Sequence, residues 1–435
     1  MTEYDLILKN GHVQIDGLHQ CDIGCRDGRI AAIGDLSAAM ARTVMDCSNL
    51  VVLPGLIDPH VHLRDPGNPA VETIHDGTRG AILGGITTVF DMPNTLEPVT
   101  SRAVLDRKRD FVVDQAWCDI GMYVWGVHDN IPTLPHLEVQ PNVCAIKVFM
   151  AGNMMVDDDA SLEALMRSGT RRVCYHSEDN DRLLERRKLF TEGQPHRMHS
   201  EWRDVECAFL GTRRLLALAR RTGRPTHILH VSTVQEIEYI RSYRDICTAE
   251  VLVNHLTQVG PEVYDTHGGY AVMNPPIRGR EHYDGLWRAV NEGHVDCIGS
   301  DHAPHPRAAK ERPWPSTAAG LTGVQTLVPI MLDHVNAGRL SLARMVQLMA
   351  HGPARVYGAI NKGRIALDYD ADFTIVDMKK KRTIEESWIT SPCGWTPFHG
   401  HSCQGWPHAT VIRGRIVMRE DQVLGQATGR PVFFH

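Results

Sequence analysis

Two rhythms of apolar and polar positions alternate along the chain. Near the N-terminus, short stretches repeat with period two, as in Asp5–Lys9, Gly28–Gly34 and Thr43–Asp46, with glycine and asparagine between them. That alternation predicts small strands joined by hairpins. The same rhythm returns after residue 363, in Gly363–Leu367, Ala371–Asp377 and Thr410–Met418. Between the ends, short continuous apolar runs take over: Gly85–Asp91, Cys118–Val124, Cys144–Met150, Arg172–His176, Thr226–His230, Thr248–His255 and Asp296–Asp301. Segments with apolar residues at helical spacing, such as Val205–Thr222 and Leu342–Met349, lie among them. Strand–helix alternation of this length predicts an α/β fold, a TIM-like (β/α)8 barrel, with a small β-sandwich built from both chain ends. The expected division is 1–53 and 363–435 for the two parts of the sandwich and 54–362 for the barrel.

Length agrees with two units, because 435 residues exceed the usual size of one core. A hydrophobic content of 43% and 23% charged residues are ordinary globular values. The formal net charge of −6 argues against nucleic acid as a main partner, and no lysine or arginine run makes a basic arm. Lys379–Arg382, the densest basic patch, reads as a solvated turn. The first residues lack a basic region followed by an apolar core, and nowhere do about 18 apolar residues run together, so a cytoplasmic protein without a membrane partner is expected. Eleven cysteines without a Cys-x-x-Cys pair fit free, buried thiols.

Chemistry gathers at the ends of the apolar runs. Asp58–Gly67 follows a run that begins at Val51; if that run is a buried strand, alternation sends His60 and His62 to one face, where both imidazoles reach one ion. A lone His-x-His is also what two satisfied strand histidines look like. Here His176, His230 and Asp301 follow, each at the end of a further run, and a barrel gathers such ends on its active face. Lys147 stands inside Ala145–Met150, otherwise a core strand, so its ammonium needs a route to solvent or neutralisation. His255, at another strand end, faces either the site region or the core, whereas His128, His267 and His302 read as structural. Gly152–Asp157 and the acidic residues after it read as a loop and a helix cap rather than a lid. Gly84–Gly85 reads as a turn.

These residues resemble the amidohydrolase superfamily and, within it, the cyclic amidases, with the dihydroorotases as the nearest pattern. Asp58–Gly67, Asp91–Thr95, Lys147–Asp157 and Ser300–His305 occur in the family's order, and Leu6–Gly11 and Val411–Arg415 resemble its terminal strands. The resemblance implies two divalent ions, zinc by default with cobalt or manganese as alternatives. His60, His62 and Asp301 would hold the more buried ion and His176 and His230 the other, bridged by Lys147 after carboxylation by carbon dioxide. A carbamate turns the buried cation into an anion neutralised by two dications. Some relatives bridge with aspartate; this chain resembles the lysine-bearing branch.

The implied reaction is the reversible hydrolysis of (S)-dihydroorotate to N-carbamoyl-L-aspartate in pyrimidine synthesis. Water acidified between the ions attacks, and Asp301 acts as general base and then general acid. Arg64, with its planar fork, Asn94 and His305 would hold the ring carboxylate, and Asn274 would contact the ring through side chain or backbone. Two alternatives stay open: an allantoinase or hydantoinase (dihydropyrimidinase), whose rings offer Arg64 no carboxylate, and a non-catalytic pathway scaffold, which needs no complete ligand set. The resemblance further implies a homodimer or tetramer, and Gly394–His401 is expected to pack the C-terminal strands against the barrel.

Overall fold

The computed structural model describes residues 3–152 and 154–435; Asn153, within the Lys147–Asp157 motif, lies outside the described residues. From the N-terminus come β1 (Tyr4–Gln14), β2 (Leu18–Arg26), β3 (Arg29–Gly34), β4 (Ala41–Asp46) and β5 (Val51–Pro54). The central strands are β6 (Leu56–Val61), β7 (Ile86–Asp91), β8 (Asp119–Trp125), β9 (Val143–Phe149), β10 (Val173–His176), β11 (Thr226–Ile228), β12 (Cys247–Leu252) and β13 (Cys297–Gly299). The chain closes with β14 (Phe373–Thr383), β15 (Ser402–Ile412), β16 (Arg415–Arg419) and β17 (Gln422–Val423).

β6 to β13 pair in sequence order, every pair parallel. The ring closes just past the strand ends, where Val61 bridges His302 and the His62 amide donates to the His302 carbonyl at 2.7 Å. Helices fill the connections, so the strands are buried on both faces and read as continuous apolar runs. Val205–Thr222 is helical because Asp204 accepts from the Cys207 amide at its start and Gly223, at φ 71°, turns the chain out at its end.

Both chain ends build one nine-stranded sheet, ordered β17-β16-β15-β14-β5-β1-β2-β3 with β4 on β1. β1 runs parallel to β4 and β5, and the other pairs are antiparallel. An apolar cluster of its own, including Leu6, Ile23, Val52, Phe373 and Val411, holds it. Lys362 ties sheet to barrel: its ammonium meets Asp119 at 2.5 Å, Asp372 at 2.6 Å and Asp370 at 2.9 Å, and Arg413 shares Asp119. This acidic trio is thereby neutralised by protein cations.

Four local readings change. The run from Val51 to Leu63 is two strands in different sheets, divided at Gly55, where a Cβ would lie 2.4 Å from Thr87 Oγ1. Gly363–Leu367 is irregular rather than a strand, since Gly363 bends the chain at φ 73°, where a Cβ would lie 2.5 Å from the Ala350 carbonyl. Thr248–His255 divides into β12 and a helix, Val253–Thr257, because a short apolar run does not separate strand from buried helix. Lys379–Arg382 lies on β14, where Asp377 accepts from the Lys379 and Lys380 amides and shifts the register.

All eleven cysteines are unpaired. No helix among the described residues is long and apolar enough to cross a membrane. Asp158 caps the helix Asp159–Arg167, accepting from the Ser161 amide at 2.8 Å.

Candidate metal centre

The ten residues singled out from the sequence line one cavity of about 290 Å³ at the C-terminal ends of the barrel strands. His60 lies in β6 with His62 just beyond it, Lys147 in β9, and His176 ends β10; His230 and Asp301 sit two residues past β11 and β13. His60 Nε2 and His62 Nε2 stand 3.2 and 3.0 Å from the same oxygen, Asp301 Oδ1. His176 Nδ1 and His230 Nε2 face each other at 3.0 Å.

The outward nitrogens decide what these rings offer inward. His60 Nδ1 is 2.7 Å from Glu250 Oε1, His62 Nδ1 is 2.6 Å from Asn94 Oδ1, and His176 Nε2 is 2.6 Å from Glu178 Oε2. Oxygens of this kind only accept, so each outer nitrogen carries the proton and each inner one is a lone pair. His60, His62 and Asp301 therefore aim three acceptors at one another with no proton to share, an arrangement that a cation resolves.

Electrostatics agree. Burial pulls His62 down to about 4 and lowers His176 and His230 as well, so these three rings are neutral. Burial works to raise Asp301, but positive charge placed at His60 or His62 holds its carboxyl well below the usual range, so a cation in this cluster is favoured. Arg203, with His176, likewise keeps Glu178 ionised against its burial.

Lys147 presents an orphaned buried amine. Its Nζ is fully buried and has no hydrogen-bond partner among the described residues; the Phe149 ring lies 4.5 Å from it. Burial draws its pKa down to about 8. An unmet buried amine beside two acceptor clusters suits a group that turns it into a metal-bridging anion.

Asp301 is pinned from both sides. Asp58 accepts from the Ser300 hydroxyl at 2.5 Å and the Ser300 amide at 3.1 Å, and His302 Nε2 meets Glu72 at 2.8 Å. These anchors hold Asp301 at φ 49°, and His230 stands at φ 38°. Such left-handed values are costly for residues with a Cβ and persist where surroundings over-determine them.

Arg64 also lines the cavity. Its Nε and Nη2 both donate to the Pro304 carbonyl, at 3.2 and 2.9 Å, and no Asp or Glu among the described residues pairs with it. Asp65, its neighbour, is engaged with the Ile74 amide. Asn94 spends its oxygen on His62 and keeps its NH2 free of it, and His305 Nε2 donates to the Ala319 carbonyl at 3.1 Å.

His255 stays out of the cavity, bonded to the Pro275 carbonyl, and His128 sits at the surface against Ser161. Glu250, Glu178 and Arg203 were not among the expected residues. Glu250 had the same signal as Lys147, a charge inside an apolar strand, and Glu178 stands two residues from a marked histidine; nothing local marks Arg203. Trp395 of the C-terminal segment donates to the His305 carbonyl at 2.8 Å, so that segment packs on the site's own loop.

The sequence profile of the amidohydrolase family matches residues 51–417. A dihydroorotase of Methanosarcina mazei is 31% identical over 96% of this chain and 95% of its own length. An allantoinase of Deinococcus radiodurans is 32% identical over 98% of each. Among solved structures, an L-hydantoinase (dihydropyrimidinase) from Arthrobacter aurescens superposes with a TM-score of 0.95 at 28% identity, over 99% of this chain and 100% of that one.

Proposed function

The chain belongs to the amidohydrolase family, and on that ground we propose that it is a dihydroorotase, interconverting (S)-dihydroorotate and N-carbamoyl-L-aspartate in pyrimidine synthesis. One observation carries the choice of ring: Arg64, a cation lining the cavity with no carboxylate partner among the described residues. A ring that brings a carboxylate supplies the missing partner, whereas hydantoin, dihydrouracil and allantoin do not.

His60, His62 and Asp301 would hold one divalent ion, and His176 and His230 a second, with Lys147, carboxylated by carbon dioxide, between them. Neutral imidazole and carboxylate donors suit zinc. When bound, the ions supply Lewis acidity to the scissile carbonyl and acidify a water. Asp301 Oδ1 faces the two imidazoles, which leaves Oδ2 to take the proton released on attack and deliver it to the departing ring nitrogen. Glu250, Asn94 and Glu178 keep the ligand rings in the tautomer that binds metal. Arg64 and the free NH2 of Asn94 would orient the ring carboxylate so that the scissile bond meets Asp301, a contact His305 joins by turning its N–H from the Ala319 carbonyl to the carboxylate, and Asn274 borders the ring.

The reading extends to a homodimer or tetramer, measurable by light scattering. The D. radiodurans relative and the hydantoinase neighbour keep one second reading in view, a hydrolase of uncharged rings on the same metal site. The deciding experiment supplies the protein with zinc and bicarbonate and assays dihydroorotate, carbamoyl aspartate, allantoin, hydantoin and dihydrouracil in parallel. Turnover confined to the first two is expected. Activity confined to the uncharged rings would overturn the assignment and leave Arg64 structural.

A further inference from the structure

We infer that Trp314 and His199, neither of which lines the cavity, are positioning residues that fix the polarity of Asn274, so that its amide nitrogen rather than its carbonyl oxygen is offered to a substrate oxygen. Its bearing on turnover rests on the hydrolytic reading above. The geometry itself does not.

The chain of donors starts at an atom with no choice. The Trp314 indole is buried, and its Nε1–H can only donate; it points at His199 Nδ1, 3.3 Å away. His199 Nδ1 must therefore be a lone pair. The ring is buried too, and desolvation, reinforced by Arg203, draws its pKa down to about 3, so it carries a single proton, on Nε2. Nε2 lies between two acceptors, the Met273 carbonyl at 3.0 Å and Asn274 Oδ1 at 2.9 Å. Asn274 Oδ1 is thereby committed to His199.

Asn274 borders the cavity that holds Arg64 and Asp301. With its oxygen committed, the amide prong left over is Nδ2, with two N–H donors and no acceptor. It suits a carbonyl or carboxylate oxygen and repels nothing such a group presents. A free asparagine could present either prong, so the relay removes an ambiguity that would otherwise weaken discrimination. The indole is held firmly enough to enforce this: Phe190 and Trp202 meet it edge-on, with centroids at 5.6 and 6.2 Å, and its backbone carbonyl accepts from Gly193 at 2.7 Å.

The test uses intact, metal-loaded protein and two readouts. The first is 15N NMR of histidine-labelled protein at pH 7, with His199 identified by difference from H199Q. A pyridine-like Nδ1 and a protonated Nε2 are expected in the wild type, and W314F should lose that bias. The second compares N274A with N274D on dihydroorotate. N274A is expected to raise KM about tenfold and N274D at least about tenfold further, because aspartate sets oxygen against oxygen, with kcat changing less than about threefold in either. A His199 protonated on Nδ1, or an N274D no worse than N274A, overturns the inference. If W314F fails to fold, the wild-type spectrum and the Asn274 pair still decide. Should the wild type act only on an uncharged ring, the dihydroorotase reading falls, while the same Asn274 comparison on that ring still tests the polarity.

Discussion

Lys147 is an amine kept where it has nothing to bond, and that predicament has a measurable side. At a pKa of about 8, roughly a tenth of it is neutral at pH 7, against well under about a thousandth for an ordinary lysine. Only the neutral amine attacks carbon dioxide. Reconstitution of metal-free protein with zinc should therefore speed up with dissolved carbon dioxide and, at a fixed concentration of it, with rising pH, levelling off above about pH 8; a rate indifferent to both would remove the carbamate from the scheme. Glu250 should behave as the support of His60: E250Q is expected to weaken metal binding about 10- to 100-fold while leaving the fold intact, read by competition with a chromophoric chelator. For Arg64, alanine should raise KM for dihydroorotate about 100-fold or more, and unchanged turnover would make the residue scaffold. At this scale the candidate ligands, which share one cavity, were legible because a charge or an imidazole in an apolar run is conspicuous. Arg203 and His199 were not, because their meaning lies entirely in partners that only the fold supplies.

Elements were legible where the period lasted, and ambiguous where it was short. Val205–Thr222 has room for several helical turns and two caps, so its pattern has one solution. Thr248–His255 is too short for that, and its second half turned helical. The single apolar run from Val51 to Leu63 hid a change of sheet, because both halves are buried and burial erases the alternation that would have separated them. Gly55 is what permits the change. G55A should lower the thermal midpoint, with a cost of about 1–3 kcal/mol, since its Cβ would need Thr87 Oγ1 and Asp372 Cβ, at 2.4 and 2.7 Å, to retreat. A midpoint equal to the wild type would mean that the junction is looser than its packing.

For the whole molecule, the buried network of Lys362, Asp119, Asp372 and Arg413 joins the terminal sheet to the barrel. Burial works against ionised Asp119, but Lys362 and Arg413 outweigh it and lower its pKa. A carboxyl depressed on folding stabilises above its unfolded value and loses that contribution as pH falls through the folded one. Lys362 is shifted upward by the same acids, so its contribution persists well into alkaline conditions. D119N should therefore cost about 3–5 kcal/mol at neutral pH, and its deficit in denaturant unfolding should shrink below about pH 4. A deficit independent of pH would assign the loss to packing. The sequence announced that both ends belong together by repeating one rhythm, but gave no sign of this network, whose members stand up to 294 residues apart.

The barrel's closing hydrogen bond, between His62 and His302, falls beside the ligands themselves. His62 and Asp301 are 239 residues apart, so on the proposed ligand set almost the whole barrel must be synthesised and shut before the aspartate meets the first two histidines. A nascent or truncated chain ending before Ser300 would lack that aspartate. Acquisition of the ion would then be a certificate of completed folding, issued only to chains whose first barrel strand has found the last.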